Sequence, residues 1–153
     1  MFEAVLDNAA LASSIYVNIA LAGLTIIVIA VMSRSIHDSR AKLITMSTLK
    51  ISVVSISSYM GLASGLTIDP LVMPEGHPLA GQEVLSLWGR YLTWAFSTPF
   101  ILLALGLLAR STTDKIFSAI VLDVFMCLTG LAAALTTSSY AMRWLWYALS
   151  PAF

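Results

Sequence analysis

Residues 88–109, WGRYLTWAFSTPFILLALGLLA, decide the fold class of this chain. At ~1.5 Å per helical residue the stretch crosses the ~30 Å hydrocarbon core of a bilayer, and Arg90 is its one charged residue. A charge at membrane depth costs at least ~2.5 kcal/mol unless it reaches the headgroups or a partner. Helical periodicity places a polar and aromatic set on the face of Arg90, with Pro99 next in line: Thr93, Trp94, Ser97 and Thr98.

The composition excludes an ordinary soluble domain. The chain is 59% hydrophobic and only 10% charged, whereas soluble domains are near a quarter charged. Its 8 basic and 8 acidic residues balance, so charge gives no argument for a nucleic acid partner. The single cysteine, Cys127, lies in an apolar run and is interpreted as a packing residue. These features predict an all-α membrane protein.

Hydrophobic runs predict five helices, at residues 9–33, 43–67, 88–109, 116–138 and 140–153. The first four are long enough to span a membrane. The fifth would extend only ~21 Å, so it is interpreted as an incomplete span in a fragment of a longer multi-pass protein. Residues 68–87 carry acids, prolines and glycines, which predict an ordered loop outside the bilayer.

The connecting segments indicate the orientation of the chain. The first connection carries Arg34, Arg40 and Lys42, and the third carries Arg110 and Lys115. The N-terminal segment, with Glu3 and Asp7, and the loop 68–87 have acids but no Lys or Arg. Because basic loops stay in the cytoplasm, we expect a multi-pass cell-membrane protein with an extracellular N-terminus.

Charged residues inside the predicted spans leave alternatives open. Arg90 either extends to the outer headgroups or draws an anion that Thr93 and Ser97 also bind. Asp123 either forms a neutral hydrogen bond between helices or carries a proton. Lys50 is expected to extend toward the cytoplasmic boundary.

Aromatic and histidine side chains give weaker indications. Arg143, Trp144, Trp146 and Tyr147 fit either an interfacial aromatic belt or a ligand-packing wall. His37 and His77 lie in separate loops, and no metal-ligand spacing accompanies them.

Residues 88–109 resemble the third helix of the microbial rhodopsins, and within them they are similar to the archaeal light-driven chloride pumps, the halorhodopsins. Four further segments show the same similarity in the same order: LITMSTLKISVVSISSYMGLASGLT, MPEGHPLAGQE, MCLTGLAAALTTSS and RWLWYALSPAF. The resemblance implies part of a seven-helix bundle that binds all-trans retinal covalently, as a protonated Schiff base on a lysine of the seventh helix.

The resemblance also implies a function and a site. Proton pumps of the family have aspartates at the positions of Thr93 and Ala104, and neither residue can ionise here. A bound chloride would then neutralise the Schiff base, so the expected activity is that of an inward chloride pump, an ion transporter and not an enzyme. Arg90, Thr93 and Ser97 would hold the chloride. The implied retinal pocket is Trp94, Thr98, Ile101, Asp123, Met126, Gly130, Trp146, Tyr147 and Ser150.

The sequence departs from the family at Pro151, where a cysteine is usual, and at Lys50, where an apolar residue is usual. The retinal-bearing lysine and the last two helices are not in this sequence, so the chain alone is not expected to form the pigment. Expected partners are membrane lipid, chloride and further copies in a homo-oligomer, with no nucleic acid. The alternatives are a sensory rhodopsin, which Thr93 disfavours, a proton-pumping rhodopsin, and a non-pigmented helical membrane scaffold.

Overall fold

The computed structural model describes residues 9–152, and its backbone is dominated by five α-helices. Four of them are long and apolar enough to cross a membrane, and the last is short and continues as a 3₁₀ turn at Ser150–Ala152. The predicted all-α membrane fold is thereby confirmed. The helices are α1 Ala9–Ser33, α2 Ser39–Ala63, α3 Gly89–Leu108, α4 Thr113–Leu135 and α5 Tyr140–Leu149.

The second helix lies four residues earlier than the prediction of 43–67, which is wrong at both ends. It begins early because the Asp38 carboxylate accepts a 2.7 Å hydrogen bond from the Ala41 N–H, which caps the first turn. Arg40 and Lys42 are therefore helical and not part of a loop. It ends early because Gly65 adopts a positive φ of 73°, which a continuing helix does not allow.

The remaining helix bounds differ less from those predicted. The first helix has the predicted bounds, and α3 is one residue shorter at each end than 88–109. Helix α4 lies three residues earlier than 116–138, after an N-cap at Thr112. The predicted fifth helix, 140–153, ends as an α-helix at Leu149, because Pro151 has no N–H to continue it. Phe153 and the acidic N-terminal residues Glu3 and Asp7 lie outside the described residues.

Residues 68–87 form an ordered connection, as expected, but its two strands were not predicted. Strands β1 Asp69–Val72 and β2 Glu83–Ser86 pair antiparallel, with Asp69 opposite Ser86 and Val72 opposite Glu83. The indole N–H of Trp88 donates a 2.9 Å hydrogen bond to Asp69. This bond fixes the base of the hairpin to the start of α3.

Each helix packs against the next one along the chain, so that α3 lies between α2 and α4. Buried Ile15, Leu62 and Ile68 join α1, α2 and the start of the hairpin. Many large apolar side chains of α1 are exposed, as expected of a helix whose solvent is lipid.

Both ends of α3 contact neighbouring segments closely. A Cβ on Gly89 would lie 2.4 Å from the Cβ of Thr67, and one on Gly106 would lie 2.5 Å from Cγ1 of Ile116. At the C-terminal end, Nε of Arg40 donates a 2.8 Å hydrogen bond to the carbonyl of Leu107, where a cation also complements the helix dipole. These contacts fix the height of α3 between its two neighbours.

Candidate functional site

A pocket of about 290 Å³ lies between α2 and α3. Six residues that the sequence singled out line it together, three from the predicted chloride site and three from the predicted retinal pocket: Arg90, Thr93, Ser97, Trp94, Thr98 and Ile101. Five residues of α2 form the opposite wall: Ile51, Ser55, Ser58, Tyr59 and Leu62. The helical periodicity of α3 thus presents one face to one pocket.

The hydroxyl groups of the pocket are tied to both helices. The hydroxyls of Thr93 and Ser58 are hydrogen-bonded to each other, and the Thr93 hydroxyl also lies 2.8 Å from the carbonyl of Gly89. Ser97 follows one turn later and is buried, with 6% of its surface exposed. Hydroxyl groups held by a neighbouring helix can donate to an anion without first being ordered.

Arg90 supplies the positive charge of the pocket. Its guanidinium lies 5.5 Å from the centroid of the Trp94 ring, a cation–π distance. Arg90 also lines a second pocket of about 370 Å³, together with Arg143 and Tyr147. Among residues 9–152, no Asp or Glu side chain lines either pocket. Within the described part of the chain the arginine therefore faces hydroxyls and an aromatic ring.

Asp123 lies on the α4 side of α3. Its carboxyl group is hydrogen-bonded to the Thr98 hydroxyl, which is also 2.8 Å from the carbonyl of Trp94. Such a bond between helices is one of the two roles that the sequence left open for Asp123. Cys127, one turn further along, is buried with 4% of its surface exposed, as expected of a packing residue.

The other residues of the predicted retinal pocket lie at the contact between α4 and α5. The Ser150 hydroxyl donates a 3.0 Å hydrogen bond to the carbonyl of Met126. A Cβ on Gly130 would lie 3.1 Å from the Tyr91 ring and 3.5 Å from the Ser150 hydroxyl, so glycine allows this close approach. On α5, Tyr147 lines the 370 Å³ pocket and Trp146 is half-buried.

The α2 wall contains the residues that sequence reasoning missed. Ser55 and Ser58 of α2 line the pocket, and Ser58 is hydrogen-bonded to Thr93, although neither serine was named as a site residue from the sequence. Their i, i+3 spacing, continued by Leu62, was the available signal for a shared face. Which α2 residues face the pocket depends on the rotation of α2 relative to α3, and the sequence does not give that rotation.

Lys50 contacts α3 from within the membrane-crossing length of α2, and the extension of its ammonium group toward the cytoplasmic boundary stays a prediction. It follows Ser39 by eleven residues and precedes Ala63 by thirteen, so it lies at the middle of the 25-residue helix. Its Nζ lies 5.0 Å from the centroid of Phe100, so the side chain contacts the neighbouring helix α3. A lysine at the centre of a membrane helix costs ~2.5–3.5 kcal/mol on insertion scales, and a cation–π contact offsets part of that cost.

The family assignment rests on comparison with known proteins. The sequence profile described as bacteriorhodopsin-like protein matches residues 9–153. The chain belongs to the bacteriorhodopsin-like protein family. This finding confirms the resemblance to microbial rhodopsins that the segment 88–109 indicated.

Within the bacteriorhodopsin-like family the chain is highly similar to halorhodopsins. It is 63% identical over 153 residues to a halorhodopsin of Halobacterium sp. (strain SG1), covering 100% of this chain and 54% of that protein. The chain thus spans about half the length of this curated relative.

Solved structures give the same result. The bromide-bound form of halorhodopsin from Halobacterium salinarum superposes with a TM-score of 0.93 at 57% identity, covering 98% of this chain and 62% of that one. A structure of halorhodopsin, described as a light-driven chloride pump, superposes with a TM-score of 0.92 at 57% identity. The match covers 95% of this chain and 61% of that one. The five helices are therefore arranged as in those bacteriorhodopsin-like proteins.

Proposed function

We propose that this chain forms the anion-binding part of a light-driven inward chloride pump. The observation that carries the proposal is the pocket between α2 and α3, in which a cation and hydroxyl groups meet without an acidic side chain among its described lining residues. Similarity to proteins described as halorhodopsin and as a light-driven chloride pump supports it.

The charges and hydrogen-bond donors of the pocket suit a monovalent anion. A guanidinium has donors only, so Arg90 needs an acceptor, and charge-assisted hydrogen bonds are about twice as strong as neutral ones. The Ser97 hydroxyl can donate its hydrogen to an anion, and the Thr93 hydroxyl can do so when its single hydrogen turns away from the Gly89 carbonyl and Ser58 donates to it instead. We propose that these three residues bind chloride, and that Ser58 holds the Thr93 hydroxyl in position through their hydrogen bond.

We propose that three residues of this pocket also border the covalently bound retinal that the family implies. Trp94 is 43% exposed and Ile101 is 39% exposed, so a flat apolar wall lies next to the proposed chloride residues. Thr98, held by Asp123, completes this wall, and we propose Met126, Gly130, Trp146, Tyr147 and Ser150 as the wall formed by α4 and α5. Retinal would supply light absorption and a cationic Schiff base whose charge the bound chloride balances.

Transport requires the anion to pass from the Arg90 end of α3 to its other end. The basic segments 34–42 and 110–115 would lie at the cytoplasmic side of the membrane, so that the Arg90 end opens to the outside. Inward movement of chloride would then start at the guanidinium group of Arg90 and the hydroxyl groups of Thr93 and Ser97. It would end beyond Leu108, past α3 side chains that hold no charge.

Titration of the full-length protein with chloride in the presence of retinal tests the proposal. We expect a visible absorption band whose position shifts with chloride, and light-driven chloride uptake into vesicles or cells. A visible band whose position does not change with chloride would contradict the proposal and favour a sensory or proton-pumping rhodopsin. Absence of any visible band would favour a non-pigmented scaffold.

A further inference from the structure

Lys50 is the one charged residue of the inner part of α2 that the proposed function does not use. It lies at the middle of a membrane-crossing helix, about 17 Å by helical rise from Ser39. An extended lysine side chain covers only a fraction of that distance, so the ammonium group does not reach the aqueous boundary. No ion pair of Lys50 is found within residues 9–152, and its Nζ faces the Phe100 ring at 5.0 Å.

The contact with Phe100 brings the lysine charge near the proposed anion site. Phe100 follows Ser97 by three residues on α3, and the side chains of such a pair are neighbours. The ammonium group therefore lies on the order of 10 Å from the Ser97 hydroxyl. On the α2 side, Ile51 follows Lys50 directly and lines the same pocket as Thr93 and Ser97.

We propose that Lys50 is a long-range cation of the chloride site, which raises the affinity of the pocket for anions without touching them. The inference rests on the proposed function and adds a residue to it. At an effective dielectric constant of ~20, two unit charges ~10 Å apart attract each other enough to change a binding constant by about tenfold. Salt screens this interaction little, because it acts through the protein and lipid interior.

Two further ionisable side chains, Asp123 and Arg90, bear on the same site. The Asp123 carboxyl is hydrogen-bonded to Thr98, which lines the same pocket as Ser97, so Asp123 is kept unchanged in every variant that is compared. Arg90 lies at the other end of the pocket and has the same sign as Lys50. The two cations thus flank Thr93 and Ser97 along α3, one at each end of the hydroxyl pair.

The test is the chloride dissociation constant of the full-length retinal-bound protein, measured from the chloride-dependent shift of its visible band. Lys50→Met keeps the length and removes the charge, and we expect its dissociation constant to rise about tenfold. Lys50→Arg keeps the charge and should stay within about twofold of the unmodified protein. Lys42→Met is the matched control, because it removes a lysine from the first turns of the same helix, where water screens the charge.

The outcomes separate this inference from the proposed function. If the visible band of the unmodified protein shows no chloride-dependent shift, the proposed function and the proposed role of Lys50 are both overturned. If the shift is present and Lys50→Met binds chloride as tightly as the unmodified protein, only the role of Lys50 is overturned. Phe100→Leu removes the ring and keeps the charge, so its affinity should be nearly unchanged. If Phe100→Leu lost as much chloride affinity as Lys50→Met, the affinity would depend on the packing of α2 against α3. That result would also overturn the proposed role of the Lys50 charge.

Discussion

The two halves of α3, on either side of Pro99, differ sharply in what they present to the same side of the bundle. The half before Pro99 carries Arg90, Thr93 and Ser97, which line a pocket. The half after it continues the same face with apolar residues, and a Cβ added to Gly106 there would meet Ile116 of α4. Pro99 itself cannot donate the helical hydrogen bond, so the division falls where one backbone hydrogen bond of the helix is missing.

Under the proposed function, this difference would let one helix both bind an anion and keep it from leaking. Fixed donors would lower the cost of desolvating chloride in the outer half, whereas the α3 side chains of the inner half offer no polar group to replace its water. An aspartate at Ala104 would give the inner half an ionisable group, as the family's proton pumps have. Binding and retention are thus assigned to opposite sides of the proline.

Removing the charge of the outer half should have the largest effect. We expect Arg90→Gln in the full-length protein to weaken chloride binding by at least tenfold and up to about a hundredfold, because a charge-assisted hydrogen bond is lost. The chloride-dependent shift of the visible band measures it. Arg110→Gln, at an exposed connection, is the control and should bind normally. Equal chloride affinities of Arg90→Gln and Arg110→Gln would contradict the assignment of anion binding to the half of α3 before Pro99.

Loosening one hydroxyl should have a smaller effect. Ser58→Ala removes the partner that orients Thr93, and we expect chloride affinity to fall about two- to tenfold, the range of one neutral hydrogen bond. Ser57→Ala is a matched control, since the Ser57 hydroxyl is exposed and bonds the carbonyl of Val53 in its own helix. The same titration compares both variants. Unchanged affinity in Ser58→Ala would show that α2 does not shape the site.

A change in the inner half should affect stability and leave binding unchanged. In Gly106→Ala the new Cβ would meet Ile116 at 2.5 Å, and overpacking of this kind costs ~1–3 kcal/mol. Gly23→Ala is the control, because no heavy atom lies within 4 Å of its Cβ position. Unfolding in detergent measures the stabilities, and the chloride titration should give equal affinities for both. A binding defect in Gly106→Ala would show that the inner half contributes to the site.

The fold was largely predictable because its strongest signals are local. Long apolar runs identified the four membrane helices of the described chain, and the first helix has its predicted bounds. The predicted start of α2 at residue 43 is wrong because the charges of Arg40 and Lys42 indicate a loop. The Asp38 cap makes both residues helical. The hairpin was missed because each strand has only four residues and β1 contains Pro70, which weakens the alternation that marks a strand.

The site was predictable on one helix and not between helices. The face of Arg90, Thr93 and Ser97 follows from helical spacing alone, and the structure brings these residues to one pocket. Contacts across helices depend on relative rotation and height, which no single helix encodes. Ser58 against Thr93 and Lys50 against Phe100 are of this kind.

The most direct measurement is a chloride titration of the visible band in the full-length protein with Thr93→Asp, beside the unmodified protein. A carboxylate placed next to Ser58 would repel chloride and balance the Schiff-base charge itself. We expect the variant to lose most of its chloride dependence and to release protons outward in the light. A chloride dependence identical to that of the unmodified protein would contradict an anion site at Arg90, Thr93 and Ser97.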